Sequence, residues 1–284
     1  MSKPRVLVVV NDDGDPVARL GTWLFEAGLD LVESAGRDLP ADLAGFAGLV
    51  VLGGPMGAMD DAIAPWLPHE RQLLRDAIAT EVPTLAICLG AQLLAAANGG
   101  RVEPNPEGPE VGAQLIAKRT AAGADPLFGP LPITPDVLQW HFDAVTVLPP
   151  GAVNLASSPL CENQAFRLGR LAWGVQFHLE TTPEIVAAWA AEDAEVLDGY
   201  DLDATLSRVT ALDADLVEVW RPFAHAFAEI VRTPESVPAA RGVPSSTAAP
   251  LTDPAAIRQA LAAEAQAARM PLLPMPTFRP PGDE

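Results

Sequence analysis

The chain has 284 residues, 49% of them hydrophobic, and a formal net charge of −19. That content is ample for a full core and excludes a chain disordered throughout, while the acidic field repels phosphate backbones and argues against nucleic acid as a partner. Two cysteines make no disulfide framework, and the longest apolar runs are far too short to span a bilayer.

The opening MSKPRVLVVVNDDGD has a short apolar run followed at once by acids. It reads as a first strand over 4–10 rather than a signal peptide, and a cytoplasmic protein is the expectation. Residues 16–27 read as a helix, with Asp15 as N-cap before Pro16 at the first helical position. LDLVESA (29–35) and GLVVLGG (48–54) are strand-like, WLPHERQLLRDAIAT (66–80) is an amphipathic helix, and TLAIC (84–88) leads into a helix over 91–98. Alternating strands and helices predict an open, mostly parallel α/β sheet flanked by helices. After Gly99 the strand-like stretches crowd together at 111–119, 136–142, 144–149, 152–158 and 171–178, which predicts mixed or antiparallel pairing. A helix over 183–197, capped by Thr182, closes the main domain near residue 198.

From Leu202 to Ile230 apolar residues recur at three- and four-residue steps, one helical stripe interrupted or kinked at Pro222. It is expected to pack on the main domain, with a partner or dimer surface as the alternative. Residues 233–284 hold 10 of the 29 prolines and read as a linker, a short helix near 254–268 and an extended tail. The predicted organisation is 1–198, a helical appendage over 199–232, and a Pro-rich segment over 233–284.

Sites in open α/β sheets form at the carboxyl ends of strands. Cys88 sits at such an end in Ala86-Ile87-Cys88-Leu89-Gly90, a cysteine version of the nucleophile elbow with one flanking Gly replaced by Ala. The helix that follows aims its free N–H groups at the sulfur, which favours the attacking thiolate. The bland alternative is a small buried core cysteine. A base is needed, and four histidines are available. His69 and His225 read as structural or solvated. His178 ends GVQFH, and Glu180, two residues on, points to the same side of an extended chain, where it can orient the imidazole. Gly53-Gly54-Pro55-Met56-Gly57 closes another strand, and its glycines let main-chain N–H groups approach a ligand.

The ordered set GGPMG (53–57), AICLGAQ (86–92) and QFHLE (176–180) resembles the class I, triad-type glutamine amidotransferases, in particular the amidotransferase domain of GMP synthetase and its free-standing relatives. The resemblance covers residues 4–197 and implies a flavodoxin-like, mostly parallel sheet. It also implies Cys88 as nucleophile, His178 as base and acid, Glu180 as orienter, and Gly54 with the Leu89 amide as the oxyanion hole. Gly53, Gln92 and the segment Trp140-His141-Phe142-Asp143 are implied contacts of the bound substrate. Two positions depart from the pattern: the family usually has Gly at Ala86 and Pro at Leu179. Cys161 matches nothing and reads as structural.

The implied chemistry is hydrolysis of glutamine or a γ-glutamyl amine or peptide through a γ-glutamyl thioester, with no metal or cofactor. The chain shows no G-x-x-x-x-G-K-[ST] loop and no Ser-Gly-Gly phosphate loop, so no synthetase domain is read in it. The amine therefore goes to water or to a separate synthetase partner. A catalytically silent binding protein on the same fold is the third alternative. Oligomeric state is open, with a homodimer possible.

Overall fold

The computed structural model describes residues 3–238. The expected linker, short helix and tail lie almost wholly outside the described residues. An eight-stranded sheet runs in the order β2 (Asp30–Ala35), β1 (Arg5–Val10), β3 (Gly48–Val51), β4 (Thr84–Ile87), β12 (Ala172–Val175), β11 (Ala165–Leu168), β10 (Val153–Ser157), β7 (Ala117–Lys118). The first five are mutually parallel and the last three antiparallel, as the change of pattern after Gly99 predicts. Two antiparallel pairs stand outside it: β5 (Arg101–Pro104) with β9 (Asp143–Val147), and β6 (Glu110–Leu115) with β8 (Asp136–His141). Among the described residues no helix is long and apolar enough to cross a membrane.

The inner strands β1, β3 and β4 are buried on both faces and almost wholly apolar, whereas the edge strand β2 is half-exposed and carries Asp30, Glu33 and Ser34. Alternation along β1 sends Val6 and Val8 to one face and Leu7 and Val9 to the other. The first face packs against α1 (Ala18–Glu26) and the C-terminal half of α5 (Leu202–Arg232), the second against α2 (Leu67–Ala79) and α3 (Leu89–Ala97). The stripe on α5 thus joins the sheet's own core through Trp220, Phe223, Phe227 and Val231. Its N-terminal half and α4 (Pro183–Glu192) cover β6 and β8 through Val209, Val186, Trp140 and Trp189.

Four local expectations change. α5 runs unbroken through Pro222. Pro222 and Glu218, whose carbonyl loses its i+4 donor there, both lie on the exposed side, where water replaces the bond. α4 ends at Glu192 rather than 197, and α1 starts at Ala18 rather than Pro16. Asp15 is not its N-cap: Val17 holds that position and no side chain caps it.

Candidate active site

Strands β1, β3, β4 and β12 are consecutive neighbours in the sheet, so the segments leaving their carboxyl ends meet. β4 and β12 end level, with Ile87 paired to Val175 and the Cys88 N–H donating to the Val175 carbonyl at 2.8 Å. Cys88 therefore stands directly opposite the segment that carries His178.

Cys88 adopts φ 50°, ψ −110°, a left-handed conformation rare for a side chain other than glycine. α3 begins at the next residue, so the Leu89 N–H belongs to the first turn, whose donors have no intrahelical acceptor. The bend requires Gly90. A Cβ there would lie 2.4 Å from the Val51 carbonyl oxygen. This is a strand-to-helix elbow with a strained cysteine at its apex. Ala86, where the resembled family usually has glycine, is fully buried in the core beside α3.

His178 Nδ1 lies 2.6 Å from Glu180 Oε1, and the Cys88 sulfur, which borders the same cavity as His178, accepts from Gln176 Nε2 at 3.6 Å. The Trp189 ring covers the imidazole at a centroid distance of 4.7 Å. Burial alone would lower the His178 pKa, but the Glu180 carboxylate and the Cys88 sulfur overcome it and hold His178 well above 6.5. Leu179 has a positive role in place of the usual proline. Its N–H donates to Glu180 Oε2 at 2.8 Å, a bond that proline cannot make. Glu180 is thus fixed at both oxygens.

The expected binding residues divide. Gly54, Gln92, Phe142 and Asp143 line a cavity of about 530 Å³ together with Cys88 and His178. Gln92 is held there by Nε2, which donates to the Asp143 carbonyl at 3.1 Å and to Gln176 Oε1 at 3.3 Å. His141 also borders the cavity, but both its ring nitrogens are engaged, Nδ1 with the Asp143 carbonyl and Nε2 with the buried Glu110. It braces the wall. Gly53 lies behind, against Asp15 and the edge of His178. Burial pushes the Cys161 thiol up to about 12, away from thiolate character, in a turn with Ser158.

Sequence reasoning missed Asp15 here. Its carboxyl is buried and faces the cavity beside Glu180 and His178, with one oxygen or nitrogen from each of the three within 4.8 Å of the others. Asp12, Asp60, Glu192 and Asp193 complete an acidic wall to which no Lys or Arg among the described residues contributes.

Residues 29–188 match the family model described as glutamine amidotransferase class-I. The chain belongs to that family. It is 31% identical over 188 residues to the glutamine amidotransferase-like protein YfeJ of Salmonella typhimurium, covering 64% of this chain and 78% of that one. Over 190 residues it is 32% identical to one of the subunits of the GMP synthase (glutamine-hydrolyzing) of Natronomonas pharaonis, covering 66% of this chain and 92% of that one. A match to the GMP synthase of Christiangramia forsetii, 33% identical over 144 residues, covers half of this chain but only 26% of that protein. The crystal structure of a glutamine amidotransferase from Thermotoga maritima superposes with a TM-score of 0.72 at 27% identity, covering 81% of this chain and all of that one. The fold and the family read from the motifs are those found.

Proposed function

We propose that this family member is a cysteine-dependent hydrolase of the γ-carboxamide of glutamine or of a γ-glutamyl amine or peptide. One observation carries the reading: a cysteine at a strained elbow faces a buried His–Glu pair across a cavity. The Cys88 sulfur attacks the γ-carbonyl carbon, forming the C–S bond. Main-chain N–H groups of Gly54 and Leu89 receive the charge that develops on oxygen. His178 gives its proton to the departing nitrogen as the C–N bond breaks, leaving a γ-glutamyl thioester. Water then attacks, His178 takes its proton, and glutamate and the free thiolate result. Glu180 keeps Nδ1 protonated and the ring aimed.

The acidic wall favours an amine that becomes a cation once released, which supports water as the acceptor. A second reading, a glutaminase that passes ammonia to a separate synthetase partner, is favoured by the likeness to a protein named as one of the subunits of GMP synthase.

The test is glutamate release by the purified chain alone, offered glutamine and a panel of γ-glutamyl amines and dipeptides, with Cys88→Ala as blank. Cys88-dependent turnover of a γ-glutamyl amine supports the first reading. No turnover, with Cys88 still labelled by a glutamine-like electrophile, supports the second. Equal turnover by Cys88→Ala refutes both.

A further inference from the structure

Asp15 is 4% exposed, and its Oδ1 is fully enclosed with no hydrogen-bond donor among the described residues. One of its oxygens lies within 4.8 Å of a Glu180 carboxyl oxygen. Gly53 is what admits it: a Cβ at that residue would fall 2.1 Å from Asp15 Oδ2. The Asp12–Asp15 turn and the Trp189 indole, which donates to the Gly14 carbonyl at 2.9 Å, hold the loop in place. Two buried carboxylates this close, one with an oxygen that accepts nothing from the described residues, form a costly arrangement. Glu180 already accepts from His178 and from the Leu179 N–H, so it is the anion of the pair. A single proton on Asp15 removes the repulsion and turns an unpaired buried charge into a neutral group, for which an unpartnered oxygen costs far less.

We propose that Asp15 is a neutral carboxylic acid in the resting site, whose O–H donates to Glu180, making it a positioning residue for the His178–Glu180 pair. The inference rests on the reading of Cys88, His178 and Glu180 as the reacting set. Burial first, then the neighbouring Glu180 and Asp12, push Asp15 up to about 7 against the opposing pull of His178. The other charged groups near it are few. Glu192 and Asp193 lie at the end of α4, and Arg19 on α1 is turned to Asp213 at 2.6 Å. With Asp15 neutral, one imidazolium faces one carboxylate. Once Asp15 ionises, a second negative charge holds the proton on His178 more tightly, so His178 becomes a poorer donor to the leaving amine and a poorer base towards water. Activity therefore falls as pH rises through the titration of Asp15.

Two measurements test this on the full chain. The first is the rate of Cys88 alkylation by iodoacetamide from pH 5 to 9, for wild type and Asp15→Asn. The wild type should show an inflection near 7 that Asp15→Asn lacks, because the amide keeps a donor towards Glu180 but cannot ionise. The second is infrared spectroscopy of wild type labelled with ¹³C-aspartate, which separates Asp carboxyls from Glu70. A protonated Asp carboxyl band should be present at pH 6 and absent at pH 9. Matching alkylation profiles overturn the proposal, and so does a wild-type spectrum without that band, even where Asp15→Asn fails to fold. Iodoacetamide needs no γ-glutamyl substrate, so these outcomes are independent of whether the hydrolase reading stands.

Discussion

Gly90→Ala adds one methyl group at the point where the elbow touches the sheet. The new Cβ would meet the Val51 carbonyl oxygen at 2.4 Å and the Val51 carbonyl carbon at 3.0 Å, whereas real Cβ atoms essentially never come closer than 3.0 Å. The obstacle is main chain of a central strand and cannot rotate aside. The start of α3 must retreat instead. Overpacking of this kind costs about 1–3 kcal/mol, and the better helix propensity of alanine returns at most about 1 kcal/mol. A net loss of about 1–2 kcal/mol corresponds to a Tm lower by about 2–8 °C for a domain of this size. The effect on catalysis is larger than that on folding. Cys88 and the Leu89 N–H ride on the displaced turn, and a misplacement on the order of 1 Å costs about a hundredfold in rate. A tenfold or greater fall in kcat is expected from protein that still unfolds cooperatively. The assay pairs thermal unfolding with Cys88-dependent glutamate release, with Gly123→Ala as control, since none of the described residues lies within 4 Å of a Cβ at that position. Unchanged Tm and kcat in Gly90→Ala refute the packing argument. A lowered Tm with full kcat refutes the link from that contact to the reacting groups.

Glu180→Gln should lower kcat by about 10³–10⁴, the scale of losing the group that orients a catalytic imidazole. It also alters stability. The folded-state pKa of His178 lies above its unfolded value near 6.5, so its contribution is complete below 6.5 and lost as pH climbs through the folded value. Urea unfolding between pH 6 and 9 should show a shallower decline in Glu180→Gln than in wild type, and equal slopes refute the coupling. Glu70→Gln addresses a different buried acid, held by the Asn11 Nδ2–H at 3.0 Å but with its Oε2 unpartnered among the described residues. Burial raises Glu70 to about 7, so the stability of its neutral form is lost between its unfolded value of 4.5 and that pH. At pH 8 the glutamine variant should be more stable than wild type by roughly 2–3 kcal/mol, with the gap closing by pH 5. A gap independent of pH would show that Glu70 does not titrate there.

How much of the molecule is legible in its sequence depends on where the information sits. Cys88, His178 and Glu180 each stand in a short segment whose local geometry is set by its own residues. Parallel pairing of β4 and β12 then brings the segments level without further instruction. β11 escapes a pattern reading because it is four residues long and carries Arg167, whose charge is accommodated by distant partners, Asp125 42 positions before it and the Pro238 carbonyl 71 after it. β5 escapes it because that strand is mostly exposed and ends at Pro104. Asp15 is the instructive failure. Asp before Pro at the foot of a helix is a sound capping signal, and the local chain supports no other reading. What removes Asp15 from the cap is a hole left by Gly53 and a carboxylate at Glu180, 38 and 165 positions further along. The departure at Leu179 works the same way. Loss of the usual proline reads in sequence as loss of a rigid link, yet in three dimensions it frees an N–H for Glu180. Local pattern therefore names the groups proposed to react. The groups that set their charge and aim are specified by distant contacts, and the physics of burial, rather than motif, has to find them.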